Sequence, residues 1–131
     1  QRTQRNFSVA IIDADNFKAF NDRFGHAAGD RTLKRISAVL IKYTRRSGEL
    51  AARVGGEEFG LLLPEIAAAD AQVVCERLLA EVAELKGCTT ISIGLKSAVP
   101  TVRGTVEKFV ELADRALYRA KRAGRNRLTL A

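Results

Sequence analysis

The chain has 131 residues, 47% of them hydrophobic and 28% charged, which suits one globular domain with one real core. No apolar run is long enough to cross a bilayer, and no signal-peptide pattern opens the sequence. A formal net charge of +7 favours anionic partners, but Trp is absent and no basic stretch is interleaved with stacking rings, so a single-strand nucleic-acid platform is not expected.

Phe7 to Ile12 (FSVAII) is a short apolar run and predicts a buried strand ending at Asp13. Asp15 and Asn16 break it, and a short helical turn through Phe17, Phe20 and Phe24 follows. Gly25 and Gly29 flank His26. From Asp30, Leu33, Ile36, Leu40 and Tyr43 recur at helical spacing with Lys34, Arg35 and Lys42 between them, which predicts an amphipathic helix starting at Asp30. Glu49 to Val54 and Glu58 to Leu63 predict a hairpin turning at Gly55 and Gly56, stopped by Pro64. Ala67 to Leu85 predicts a second long helix with Val74, Leu78, Val82 and Leu85 inward and Gly87 as its C-cap. Cys88 to Leu95 alternates and is β-branched, so it predicts a strand. Thr105 is placed to cap a third helix carrying Phe109, Leu112, Ala116 and Leu117 and ending near Gly124, and Arg127 to Leu130 to add an edge strand.

The order β-α-β-β-α-β-α-β fits an α+β fold with a ferredoxin-like core, its helices packed on one face of a central antiparallel sheet. No repeat, low-complexity segment or linker divides residues 1–131, so one domain is expected. The polar start QRTQRN, without an initial Met, suggests a piece excised from a longer protein. Cys75 and Cys88 lie in apolar surroundings without CxxC spacing. They are expected as buried free thiols in a reducing, cytoplasmic compartment, although a parent protein could be membrane-anchored.

Asp13 ends the first strand, and Glu57 and Glu58 lie at the hairpin turn. In a split β-α-β arrangement those strands can be neighbours and the carboxylates can converge. Taken alone, an acidic pair beside two glycines is a solvated turn. Three clustered carboxylates instead repel each other unless a cation sits between them, and hard oxygen donors in small number favour Mg²⁺. No cysteine–histidine cluster argues for zinc. Lys18 could supply a cation to phosphate oxygens. Asn21 and Asp30 offer groups that suit the guanine edge, since a carboxylate can accept from its paired N–H donors and adenine lacks that pair. Lys121 and Arg125 in KRAGRNR could hold a triphosphate tail; the bland alternative is a basic helix end favoured by the macrodipole.

DADNFKAFNDRFGHAAGD at 13–30, RVGGEEF at 53–59, TISIGL at 90–95 and ADRALYRAKRAGRNR at 113–127 together resemble the GGDEF family of diguanylate cyclase domains. The likeness covers nearly the whole chain. It implies a fold similar to nucleotide cyclase and polymerase palm domains and the condensation of two GTP into cyclic di-GMP, with pyrophosphate released twice. It further implies that Asp13, Glu57, Glu58 and the Ala14 carbonyl hold Mg²⁺, with Mn²⁺ as a substitute, and that Glu57 assists deprotonation of the 3′-hydroxyl. Lys18 would stabilise charge developing on the phosphates. Asn21 and Asp30 would read guanine, Leu33 would line its pocket, and His26 would stand near ribose and base. Gly55 and Gly56 would admit the triphosphate to the hairpin backbone, and Lys121 and Arg125 would grip its end. Because each chain holds one GTP and the product is two-fold symmetric, a transient antiparallel homodimer is implied, as is an upstream sensory or regulatory domain. The alternative is a weakly catalytic member that binds GTP or cyclic di-GMP and regulates.

The chain departs from the family pattern at some positions. The product-inhibition motif RxxD is here RSGE, with Arg46 kept and Glu49 in place of Asp; Arg77 could complete such a site. The DxLTxLxNR segment that precedes the first strand in the family is absent, and Val54 stands where an aromatic is common.

Overall fold

The strand FSVAIIDA becomes β1 (Phe7–Ala14), the centre of the molecule, because its side chains are apolar on both faces. In the computed structural model, which describes residues 6–46, 48–99 and 106–131, β1 is followed by α1 (Phe17–Phe24), α2 (His26–Lys42), β2 (Leu50–Gly55), β3 (Glu58–Pro64), α3 (Ala68–Ala83), β4 (Ile91–Ala98), α4 (Val106–Arg122) and β5 (Leu128–Leu130). The strands form one sheet in the order β2-β3-β1-β4-β5. β1 pairs antiparallel with β3 and β4, with Asp13 opposite both Glu58 and Ser92.

Two expectations about the layers are corrected. The sheet is mixed, since β5 runs parallel to β4. The helices also cover both faces. Ala10, Ile12, Phe59, Leu61 and Ile93 pack in one cluster with Leu33, Ile36 and Leu40 of α2 and Leu78 and Val82 of α3. Val9 and Ile11 face the other way, against Phe109, Ala113 and Leu117 of α4. Period-two alternation in β1 cannot show this, because both sets of residues are apolar. Full burial of a side chain such as Ile12 or Ile93 stabilises by roughly 1.5–3 kcal/mol, so both layers hold the sheet.

Glycines set the closest approaches. At Gly94 a Cβ would lie 2.0 Å from the Ala113 carbonyl oxygen and 2.3 Å from the Leu117 nitrogen, so the α4 backbone rests directly on β4. At Gly29 a Cβ would lie 1.8 Å from Asn21 Oδ1, which is how closely α1 and α2 meet.

Some boundaries also move. α2 starts at His26, a turn before Asp30, because Gly25 at φ 90 ends α1 and its carbonyl accepts the Gly29 N–H at 3.1 Å. The short side chains of Ala27, Ala28 and Gly29 carry little periodic signal. α3 stops at Ala83, with Gly87 at φ 71 in the turn beyond. β4 begins at Ile91 rather than Cys88, and Cys88 is half-buried while Cys75 is fully buried. Thr105, the expected cap of α4, lies outside the described residues. Among the described residues no helix is long and apolar enough to cross a membrane.

Candidate active site

Side chains opposite one another in an antiparallel pair point to the same face, so Asp13 and Glu58 stand side by side on the α4 side of the sheet. The hairpin presents Glu58 by a tight turn. Gly55 pairs with Glu58, Gly56 takes φ 47, and a bulge separates Arg53 from Gly55. Arg53 Nε donates to the Gly56 carbonyl at 2.7 Å, and Ala14 N donates to the Glu57 carbonyl at 3.1 Å, which ties the turn to the end of β1. A Cβ at Gly55 or Gly56 would meet no atom within 4 Å.

On that same face, the last turn of α4 brings Lys121, whose Nζ donates to Asp13 Oδ2. Burial pushes the Asp13 carboxyl above its ordinary value; Lys121 pulls it down, while Glu57 and Asp15 push it up. Burial also raises Glu58, helped by Asp114, Asp13 and Glu57 and opposed by Lys121. A cleft of about 190 Å³ opens beside these groups, lined by Asp13, Ala14, Lys18, Glu57, Lys121 and Arg125 among others. Acidic and basic groups share it, an arrangement suited to a cation and to phosphate oxygens together.

The convergence is narrower than three carboxylates around one point. Among the described residues, no group of three or more His, Cys, Asp or Glu side chains is placed to hold a metal ion. Instead, the Lys121 ammonium is the cation resting on Asp13. The oxygen-only donors and the mutual repulsion of Asp13 and Glu58 still fit a hard divalent ion.

The other expected residues lie around this focus or away from it. Asn21 on α1 has its Oδ1 buried without a hydrogen-bond partner, against Gly29. His26 and Asp30 are exposed on the first turns of α2, and Leu33 is buried in the main core. Arg46 and Glu49 lie just before β2, at its opposite end from Gly55, and engage each other. Arg46 N donates to Glu49 Oε1 at 3.0 Å, and the guanidinium stands 3.9 Å from Oε2. Arg77 is exposed on α3.

Asp15, Arg53 and Asp114 had no expected part in this region. Asp15 is buried and accepts from Thr90 and Ser92. The hydroxyls of TIS, two apart where the chain enters the strand β4 that flanks β1, are the available signal.

A family model described as "Diguanylate cyclase, GGDEF domain" matches residues 1–127. Among curated proteins, the chain is 43% identical to diguanylate cyclase A of Treponema denticola, over 95% of this chain and 35% of that protein. It is also 43% identical to diguanylate cyclase DgcP of Pseudomonas aeruginosa, over 94% of this chain and 19% of that protein. The chain thus spans only about a fifth to a third of these relatives' length. Among solved structures, the GGDEF domain of DgcB from Caulobacter crescentus, in complex with c-di-GMP, superposes with a TM-score of 0.88 at 34% identity, covering 95% of this chain and 77% of that one. With the motif residues gathered at one end of the sheet and the match running over nearly its full length, the chain belongs to the diguanylate cyclase GGDEF domain family.

Proposed function

We propose that this domain is a diguanylate cyclase that joins two GTP molecules into cyclic di-GMP and releases two pyrophosphates. The observation that carries this reading is the meeting of Asp13, Glu58 and Lys121 beside a cleft that also holds Lys18, Glu57 and Arg125. Asp13, Glu58, Glu57 and the Ala14 carbonyl are the groups that would hold Mg²⁺ or Mn²⁺, which neutralises phosphate charge and lowers the pKa of an attacking hydroxyl. Lys121 and Arg125 bind the terminal phosphates, and Lys18 takes up charge developing on the transferred group. Gly55 and Gly56 leave the hairpin backbone open to the triphosphate.

Guanine is read by Asn21 and Asp30, with Leu33 beneath it and His26 near the ribose. The unpartnered Asn21 Oδ1 supports this, since a buried acceptor without a donor is costly unless a ligand satisfies it. Glu57 accepts the proton of the 3′-hydroxyl as its oxygen attacks the α-phosphorus and the bond to the β-phosphate breaks. Two domains must face each other for each hydroxyl to reach the partner's α-phosphate, so the active species is a transient antiparallel homodimer. We place residues 1–131 as one catalytic domain of a longer cytoplasmic or membrane-anchored protein whose upstream regulatory part brings two copies together. The free thiols fit a reducing compartment.

The test is the domain fused to a dimerising coiled coil and incubated with GTP and Mg²⁺. Cyclic di-GMP with two pyrophosphates per product is expected from wild type and not from Glu58→Gln. No product from either protein overturns the reading.

A second reading, a regulatory module that binds GTP or cyclic di-GMP, draws on the lack of a three-ligand metal cluster among the described residues. Arg46, Glu49 and Arg77 would then be its product-binding groups. Calorimetry with cyclic di-GMP on wild type and Arg46→Ala, set beside the turnover assay, separates the two readings.

A further inference from the structure

Asp15 is 4% exposed, yet its carboxylate is fully engaged. Oδ1 accepts from Ser92 Oγ at 2.6 Å. Oδ2 accepts from Thr90 Oγ1 at 2.6 Å and from the Asn126 backbone N–H at 3.0 Å. The Asp15 N–H donates to the Thr90 carbonyl at 2.8 Å. With its oxygens committed to three donors, this carboxylate is poorly placed to ligate an ion, unlike Asp13 two residues earlier.

What it holds is the turn after α4. Arg125 and Asn126 take φ 64 and φ 49, two consecutive non-glycine residues in the left-handed region that L side chains avoid. The Arg125 N–H is satisfied by the Ala120 carbonyl at 3.0 Å, and the Arg127 carbonyl accepts from Ile93 N at 2.9 Å. Between those two ties, the Asn126 N–H is satisfied by a side chain from the opposite end of the sequence. The same turn carries Arg125 to the wall of the cleft beside Lys18, Glu57 and Lys121.

We infer that Asp15 is a positioning residue for the phosphate side of the site: by holding the Asn126 N–H, it fixes the left-handed turn that sets Arg125 against the terminal phosphates of a nucleoside triphosphate. The inference rests on reading the cleft as a triphosphate site. Thr90 and Ser92 fix the carboxylate in turn, so the chain of positioning runs from β4 through Asp15 to Arg125. Asp15 acts through Arg125, so the two must be energetically coupled.

The experiment is a calorimetric double-mutant cycle with the α,β-methylene analogue of GTP, which cannot release pyrophosphate, in the presence of Mg²⁺. Asp15→Ala is expected to weaken binding about ten-fold, in line with loss of one well-placed charged contact. In an Arg125→Ala background the same change should cost less than two-fold, roughly, because the contact it positions is already gone. Asp15→Asn should bind within about two-fold of wild type, since its amide oxygen can accept from Asn126 while its amide nitrogen donates to the Ser92 hydroxyl. Wild-type affinity in Asp15→Ala, or additive losses in the double variant, overturns the inference while leaving the functional reading intact. If wild type does not bind the analogue, both fall. Should Asp15→Ala fail to fold, hydrogen exchange on the wild-type domain decides: an Asn126 amide protected like that of Ile93 supports the anchor, and an unprotected one overturns it.

Discussion

Lys121 Nζ donates to Asp13 Oδ2, joining the last turn of α4 to the end of β1 across 108 positions of sequence. The ammonium offsets part of the burial that pushes the Asp13 carboxyl upward. Lys121→Gln leaves that carboxyl with burial, Glu57 and Asp15 all acting in the same direction. Cyclic di-GMP formation at neutral pH should fall about ten- to hundred-fold, the cost of losing a charged hydrogen bond. The acidic limb of the pH–rate profile should also move to higher pH. An unchanged rate and profile would make the pair a passive surface contact.

Glu58 predicts a gain in stability at the expense of function. Its carboxyl is raised above the ordinary 4.5 by burial and then by Asp114, Asp13 and Glu57. The native state therefore holds this proton more tightly than the unfolded chain. Stability is greatest below the unfolded value and declines as pH rises through the folded one. Glu58→Gln removes that decline, so Tm near pH 7 should rise by a few degrees while turnover is lost. The advantage should shrink toward pH 4. Thermal scans across pH check it, and a lower Tm at pH 7 would show that Glu58 is net stabilising.

The two tight glycines should fail in different ways. A methyl at Gly94 meets the backbone of α4 at 2.0 Å, which cannot yield without moving the helix, so Gly94→Ala should cost about 3 kcal/mol or more in urea unfolding. A methyl at Gly29 meets the end of the Asn21 side chain, which can swing away. Gly29→Ala should keep most of the stability and lose affinity for the guanine nucleotide. Equal losses of stability in both variants would contradict this distinction.

The thiols should label in sequence. Burial pushes the Cys75 thiol up to about 12, and Cys88 is only half-buried. At pH 8 a thiolate-selective reagent should modify Cys88 in the native domain and reach Cys75 only on unfolding. Mass spectrometry of the labelled peptides checks the order.

Much of this site was legible because its chemistry sits in short motifs. Asp13, Glu57 and Glu58 could be placed at the same sheet end once FSVAII and the hairpin were seen as strands. The register that makes Asp13 and Glu58 direct neighbours depends on the fold. The position of α4 on the opposite face was not readable, because β1 is apolar on both sides and gives no preferred direction. That choice depends on Gly94, a lone glycine in a strand whose meaning appears only when a helix backbone lies against it. In the sequence Asp15 reads only as a strand breaker, because its partners, Thr90, Ser92 and Asn126, are distant in sequence and individually ordinary.

The span from Asp13 to Lys121 also governs when this site can exist during synthesis. Within the domain, β1 leaves the ribosome before α4 and the parallel strand β5. Until they emerge, Val9 and Ile11 have no helix to cover them, and Asp13 has no ammonium beside it. A nascent domain therefore carries Asp13, Lys18 and Glu57 of the cleft without Lys121 and Arg125 until the end of α4 and the turn after it have been made.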